Sequence, residues 1–204
     1  LKIVILGVKN LLSNEINFRN ISIKEKNNKF EIQNLLLSKK YKIKSISDVD
    51  LSYFDNDLLK NDASIKKRDK DYLLKSNSFN ATKIIDDLLI DDKNSESKKI
   101  FSKNFKLNIK IEEAFLDKDH PIENLGGYLT FNNSEVIDAN LAGDFSDNQR
   151  INLTIRTTSN EEITTLYSDI AKPFVNRYKF IKGFEEGNLD FHSIKQNDVS
   201  HSKL

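Results

Sequence analysis

The sequence predicts a mainly β protein with a few short helices. Two observations carry that class: apolar residues recur every second position over most of the 204 residues, and the connections between such runs are short and rich in Asn, Lys and Asp. A third observation bears on function. Lys plus Arg number 32 and Asp plus Glu 31, for a net charge of +1, and the signs alternate along the chain as on a solvated surface. A nucleic-acid binder is expected to carry a basic excess, so none is expected to be bound. With no cysteine, disulfides, thiolate metal sites and a cysteine nucleophile are excluded.

The strands follow in order. "EINFRNISIKE" places Ile16, Phe18, Ile21 and Ile23 on one face, with a break between Phe18 and Ile21 of the kind a bulge makes. "KFEIQNLLL" supplies Phe30, Ile32, Leu35 and Leu37, and "YKIKSISDVDLSYF" supplies Tyr41, Ile43, Ile46, Val49, Leu51 and Tyr53. A helix is expected near 80–90, where Ile84, Ile85, Leu88 and Leu89 have helical spacing and Asn80 or Thr82 could cap. The polar run 91–104 reads as a loop between two halves, 1–90 and 105–204, of one continuous sheet.

The second half alternates through Phe105, Leu107, Ile109 and Ile111. It continues with Gly127, Leu129 and Phe131, with Ile137, Ala139, Leu141, Gly143 and Phe145, and with Ile151, Leu153 and Ile155. A capping-box spacing from Ser159 to Glu162 then predicts a helix near 160–172 through Ile163, Leu166, Tyr167 and Ile170, which Pro173 should end or bend. "DYLLKSNSFNATKIIDDLL" and "NLTIRTTSNEEITTLYSDI" share a plan of strand, polar corner and helix. That plan predicts a repeat-like, elongated sheet. Leu1, with no methionine anywhere, reads as the start of a segment from a longer protein.

No catalytic constellation stands out. His120, His192 and His201 lie apart, without metal-ligand spacing. Asp48, Asp50, Asp55 and Asp57 lack the glycine and terminal glutamate of a calcium loop. Gly126–Gly127 has no following lysine, and the adjacent glutamates read as surface charge. No cofactor, metal or enzymatic activity is expected. The apolar run "LKIVILGV" is far shorter than the roughly 20 residues that cross a bilayer as a helix.

One apolar and one wet face fit two arrangements: a sheet covered by a second layer, or a curved sheet with an open apolar groove. A resemblance favours the groove. "FIKGFEEGNLDF", with Ile181, Gly183, Gly187, Leu189 and Phe191, resembles the return into the sheet of the AsmA-like family, in particular its YhdP-like branch. "LGGYLTF" and "VIDANLAGDF" are similar to that family's repeated elements. The likeness covers Phe105 onward. The first half matches in style alone, and the chain is richer in Lys, Asn and Ile than those proteins.

The resemblance implies an elongated antiparallel sheet curved into an open apolar groove. It also implies a periplasmic location in a Gram-negative-type bacterium, with an inner-membrane anchor outside this segment. The implied role is phospholipid transport between the inner and outer membranes and outer-membrane integrity. It names no protein partner. Phospholipid acyl chains would then contact Phe105, Leu107, Ile109, Ile111, Leu129, Phe131, Ile137, Leu141, Ile151, Leu153 and Ile155. The rival expectations are a structural or adhesive β-rich surface protein and a closed β-sandwich binding module.

Overall fold

The computed structural model describes residues 1–10, 14–56, 58–82, 101, 103–116, 119–132, 134–178, 186–196 and 199–203. Its strands are β1 (Lys2–Asn10), β2 (Glu15–Glu25), β3 (Asn28–Leu37), β4 (Ile43–Ser45), β5 (Asp48–Phe54), β6 (Lys60–Arg68) and β7 (Asp71–Asn80). Then come β8 (Phe105–Phe115), β9 (Pro121–Asn132), β10 (Glu135–Phe145), β11 (Gln149–Thr157), β12 (Glu162–Ser168), β13 (Leu189–Gln196) and β14 (Val199–Lys203). One α-helix is described, α1 (Lys172–Tyr178).

All fourteen strands belong to one open sheet. Its order follows the sequence from β1 to β14, except that β4 pairs only with β3. The protein is thus mainly β, as its alternation predicts. Neighbouring strands are antiparallel apart from β7 and β8, which are parallel. A parallel pair cannot be closed by a tight hairpin and needs a long crossover, here residues 81–104. The helix expected near 80–90 lies almost wholly outside the described residues. At its start, Asn80 Oδ1 accepts from the Thr82 N–H at 3.2 Å.

The bulge read between Phe18 and Ile21 is present. Leu6 pairs with Asn20 and Gly7 with Phe18, so Arg19 is the extra residue. Asn34 compensates on β3, where its φ of 49° kinks the strand and keeps Phe18 opposite Leu35. That explains why β3 steps from Ile32 to Leu35 rather than by strict twos.

The expected helix near 160–172 is corrected. Glu162–Ser168 is strand β12, paired with β11 and β13 along its length. Its inward face is Thr164, Leu166 and Ser168, all buried. Two of those three are polar, so apolar spacing alone misread the period. Ser168 is satisfied inside by donating to the Ile170 carbonyl at 2.7 Å. The Ser159 corner is a hairpin turn, in which Thr158 Oγ1 accepts from the N–H groups of Asn160 and Glu161. Pro173 likewise does not end a helix. It lies in the first turn of α1, where its missing N–H is harmless. The second copy of the proposed strand–corner–helix plan is therefore a β-hairpin, and the shared plan is not realised.

Residues that pair in the ladder line up as rows across the sheet. One row takes Ile5, Ile21, Ile32, Val49, Ile65, Leu74, Ile109, Gly127, Leu141, Leu153, Leu166 and Phe191, one from every strand between β1 and β13 save β4. All are apolar or glycine, so one face carries an unbroken greasy strip. The core forms over its C-terminal part, from Leu74 to Leu189, and Phe174 and Val175 of α1 pack into it.

Candidate functional site

The two ends of this strip differ. From β8 to β12 most side chains of the strip are shut away from solvent. Ile109, Ile111, Leu129, Leu141, Ile151, Leu153 and Ile155 are each between 3% and 5% exposed. These seven expected lipid contacts are core residues in this structure. Ile137 is half-buried at a bulge between Val136 and Asp138, and Val136 is the residue that packs against the core there. The remaining three, Phe105, Leu107 and Phe131, line an open pocket of about 410 Å³.

This pocket sits over the parallel β7–β8 seam. Its wall is aromatic. The rings of Phe105 and Phe131 stack with centroids 4.7 Å apart, and Tyr72 and Phe101 meet Phe105 edge-on at 5.3 and 4.8 Å. The cluster is held in place by backbone. The Tyr72 hydroxyl accepts from the Ile46 N–H at 3.3 Å, and the Phe101 N–H donates to Ser134 Oγ at 2.8 Å. Ile43 of β4 bridges to Phe101, so the N-terminal half of the sheet closes the opposite side with Ile46, Val49 and Ile65. Lys44, Lys67, Lys70, Lys103 and Asp69, with Ser45 and Asn104, complete the lining.

A scan against protein-family models, a search of curated proteins and a search of solved structures returned no match. The site must therefore be read from its own chemistry. Among the described residues no group of His, Asp and Glu could hold a metal ion, and no helix is long and apolar enough to cross a membrane. Asp55 is a structural acid: its carboxylate accepts from Asn61 Nδ2 at 3.3 Å and from Asn80 Nδ2 at 2.8 Å. Asp57 lies outside the described residues.

Of the family-like return, Ile181 and Gly183 also lie outside the described residues. Gly187 has a φ of 98°, and Leu189 and Phe191 open β13 facing the core. The wall residues Tyr72 and Phe101 were missed by sequence reasoning, as was the lysine rim. Phe101 is an aromatic alone in a charged run, which was the available cue. Lys67 and Lys70 are neighbours, but Lys44 and Lys103 come from distant segments, and spacing cannot bring those together with them.

Proposed function

We propose that this chain is a non-enzymatic lipid-handling segment of an AsmA-like envelope protein. It contributes to phospholipid transport between the inner and outer membranes, and so to outer-membrane integrity. It works in the periplasm and is held to the inner membrane by an anchor outside these residues. The observation that supports the reading is the apolar row crossing the open sheet from Ile5 to Phe191 and passing beneath an open aromatic pocket. A fold that needed only a core would cover such a row along its length. Here Ile3 and Ile5 are more than half exposed, and Ile21, Ile23, Phe30, Ile32 and Leu51 are half-buried. Acyl chains gain roughly 25 cal/mol for each Å² of apolar surface removed from water, which is enough to favour such a strip. Headgroups need no catalytic residue and stay in solvent.

Contact with acyl chains begins at Phe105, Leu107 and Phe131, which already face open space. The seven core residues join only where the covering of the strip parts. The test is lipid mass spectrometry on the chain purified from bacterial membranes in mild detergent. A variant combining Ile32→Asp with Leu107→Asp is purified beside it and shown to unfold at a comparable temperature. Both positions are half-buried, so the charges can reach water. Phospholipid is expected with the parent and not with the variant. A folded parent that carries no lipid sinks the reading.

A further inference from the structure

We infer that the pocket over the β7–β8 seam takes one acyl chain of an anionic phospholipid, with the chain against Phe105, Leu107 and Phe131 and the phosphate among Lys67, Lys70 and Lys103. The inference rests on the lipid reading above and narrows it to a class of headgroup. Its first support is size. About 410 Å³ lies toward the small end of ligand pockets and suits one chain rather than a whole two-chain lipid. The second is rigidity. The stacked Phe105–Phe131 pair and the pinned Tyr72 give a flat wall that need not be ordered on binding.

The third support is charge at the mouth. Lys67 projects from the same face of β6 as Ile65, two residues on, and so stands where the apolar strip meets water. Lys70 belongs to the turn after β6, and Lys103 lies just before β8. The registers Lys67↔Tyr72 and Tyr72↔Leu107 bring these two segments together. Lys44 also lines the pocket but is already held by Glu15. Among the described residues Lys67, Lys70 and Lys103 form no ion pair, and Asp69 is the single acid of the lining. The lysine stems extend the apolar wall while their ammonium groups remain in water. An apolar cleft with a cationic rim matches an apolar tail with an anionic head. A zwitterionic head brings its own cation to the same rim and gains less.

The experiment is calorimetric titration of the whole chain with dihexanoyl phosphatidylglycerol and with dihexanoyl phosphatidylcholine, each below its critical micelle concentration. The two probes share their tails and differ in net charge. Phosphatidylglycerol is expected to bind more tightly by on the order of tenfold at low salt, with the gap shrinking at high salt. In a Lys67→Glu/Lys70→Glu/Lys103→Glu variant the gap should close while phosphatidylcholine binding is unchanged. All three side chains are exposed, and the single Lys70→Gln variant gives a milder reading of the same effect. Equal affinity for the two lipids, or a preference that survives charge reversal, overturns the headgroup assignment and leaves the lipid reading standing. Binding of neither lipid overturns both.

Discussion

The two halves of the sheet carry the same apolar row and use it differently. From β8 to β12 the row's side chains, Ile109, Leu141, Leu153 and Leu166, are buried, roofed in part by Phe174 and Val175 of α1. From β1 to β6 the same row is more open: Ile5 is 57% accessible and Ile21, Ile32 and Ile65 are half-buried, with Val49 the one buried member. Alternation builds a greasy face on both sides of the seam, and the C-terminal side is covered into a continuous core while the N-terminal side buries only Leu35, Val49 and Ala63. The pocket lies at the boundary. There the covered face ends, and the short β4 arm and Phe101 reach over the edge of the seam.

The comparison is broken most directly by placing a charge in the row on each side. Leu153→Asp buries a carboxylate without a partner and is expected to cost about 4 kcal/mol or more, visible as a large drop in the urea midpoint or failure to fold. Ile5→Asp, at the exposed end, should stay within about 0.5 kcal/mol. Equal costs would mean that the N-terminal half is covered in solution and that the contrast is wrong.

Two glycines sharpen it further. Gly127 has a φ of 138°, and a methyl there would come 1.9 Å from the Asn140 carbonyl oxygen, a backbone atom that cannot step aside. Gly127→Ala should cost about 3 kcal/mol in thermal or denaturant unfolding. At Gly7 the added carbon meets chiefly the edge of the Phe18 ring, at 2.8 Å, on a half-exposed strand pair where the ring can move. Gly7→Ala is therefore expected to change stability by less than about 0.5 kcal/mol.

The smallest effect belongs to the wet face of the N-terminal half. Lys29 and Lys24 each sit 2.9 Å from the Glu31 carboxylate and hold its pKa down to about 2 from an ordinary 4.5. Because the folded group titrates below the unfolded one, these ion pairs contribute above pH 4.5. Their contribution is lost as the pH falls from there toward 2. Glu31→Gln should slightly flatten the acid limb of a stability profile between those values, and added salt should mask the difference. An unchanged acid limb at low salt would show that the pairs do not persist in solution.

Strand content and strand faces were largely legible, because a half-wet sheet writes its period of two directly into the chain. The bulge at Arg19 was legible for the same reason, since it breaks that period. Strand β12 was not. Its buried side holds Thr164 and Ser168, so the inward period was hidden, while Ile163, Leu166, Tyr167 and Ile170 mimicked a helix. A hydroxyl that finds a buried partner, as Ser168 does with the Ile170 carbonyl, passes for core only once the fold is known. Of the expected contact set, three residues face the pocket and seven are core. Nothing in the alternation of Leu107 and Ile109 distinguishes the half-buried one from the buried one.

By itself the sequence determined the β class, the apolar face and the balanced charge. Each is written locally, in the side chains and their spacing. Tertiary structure decided that β7 and β8 run parallel, that one half of the apolar row is covered, and that three lysines gather at the mouth of an aromatic pocket. The reason is range. A period of two says which way a side chain points, but strand order and crossover decide what it meets, and those depend on residues tens of positions away.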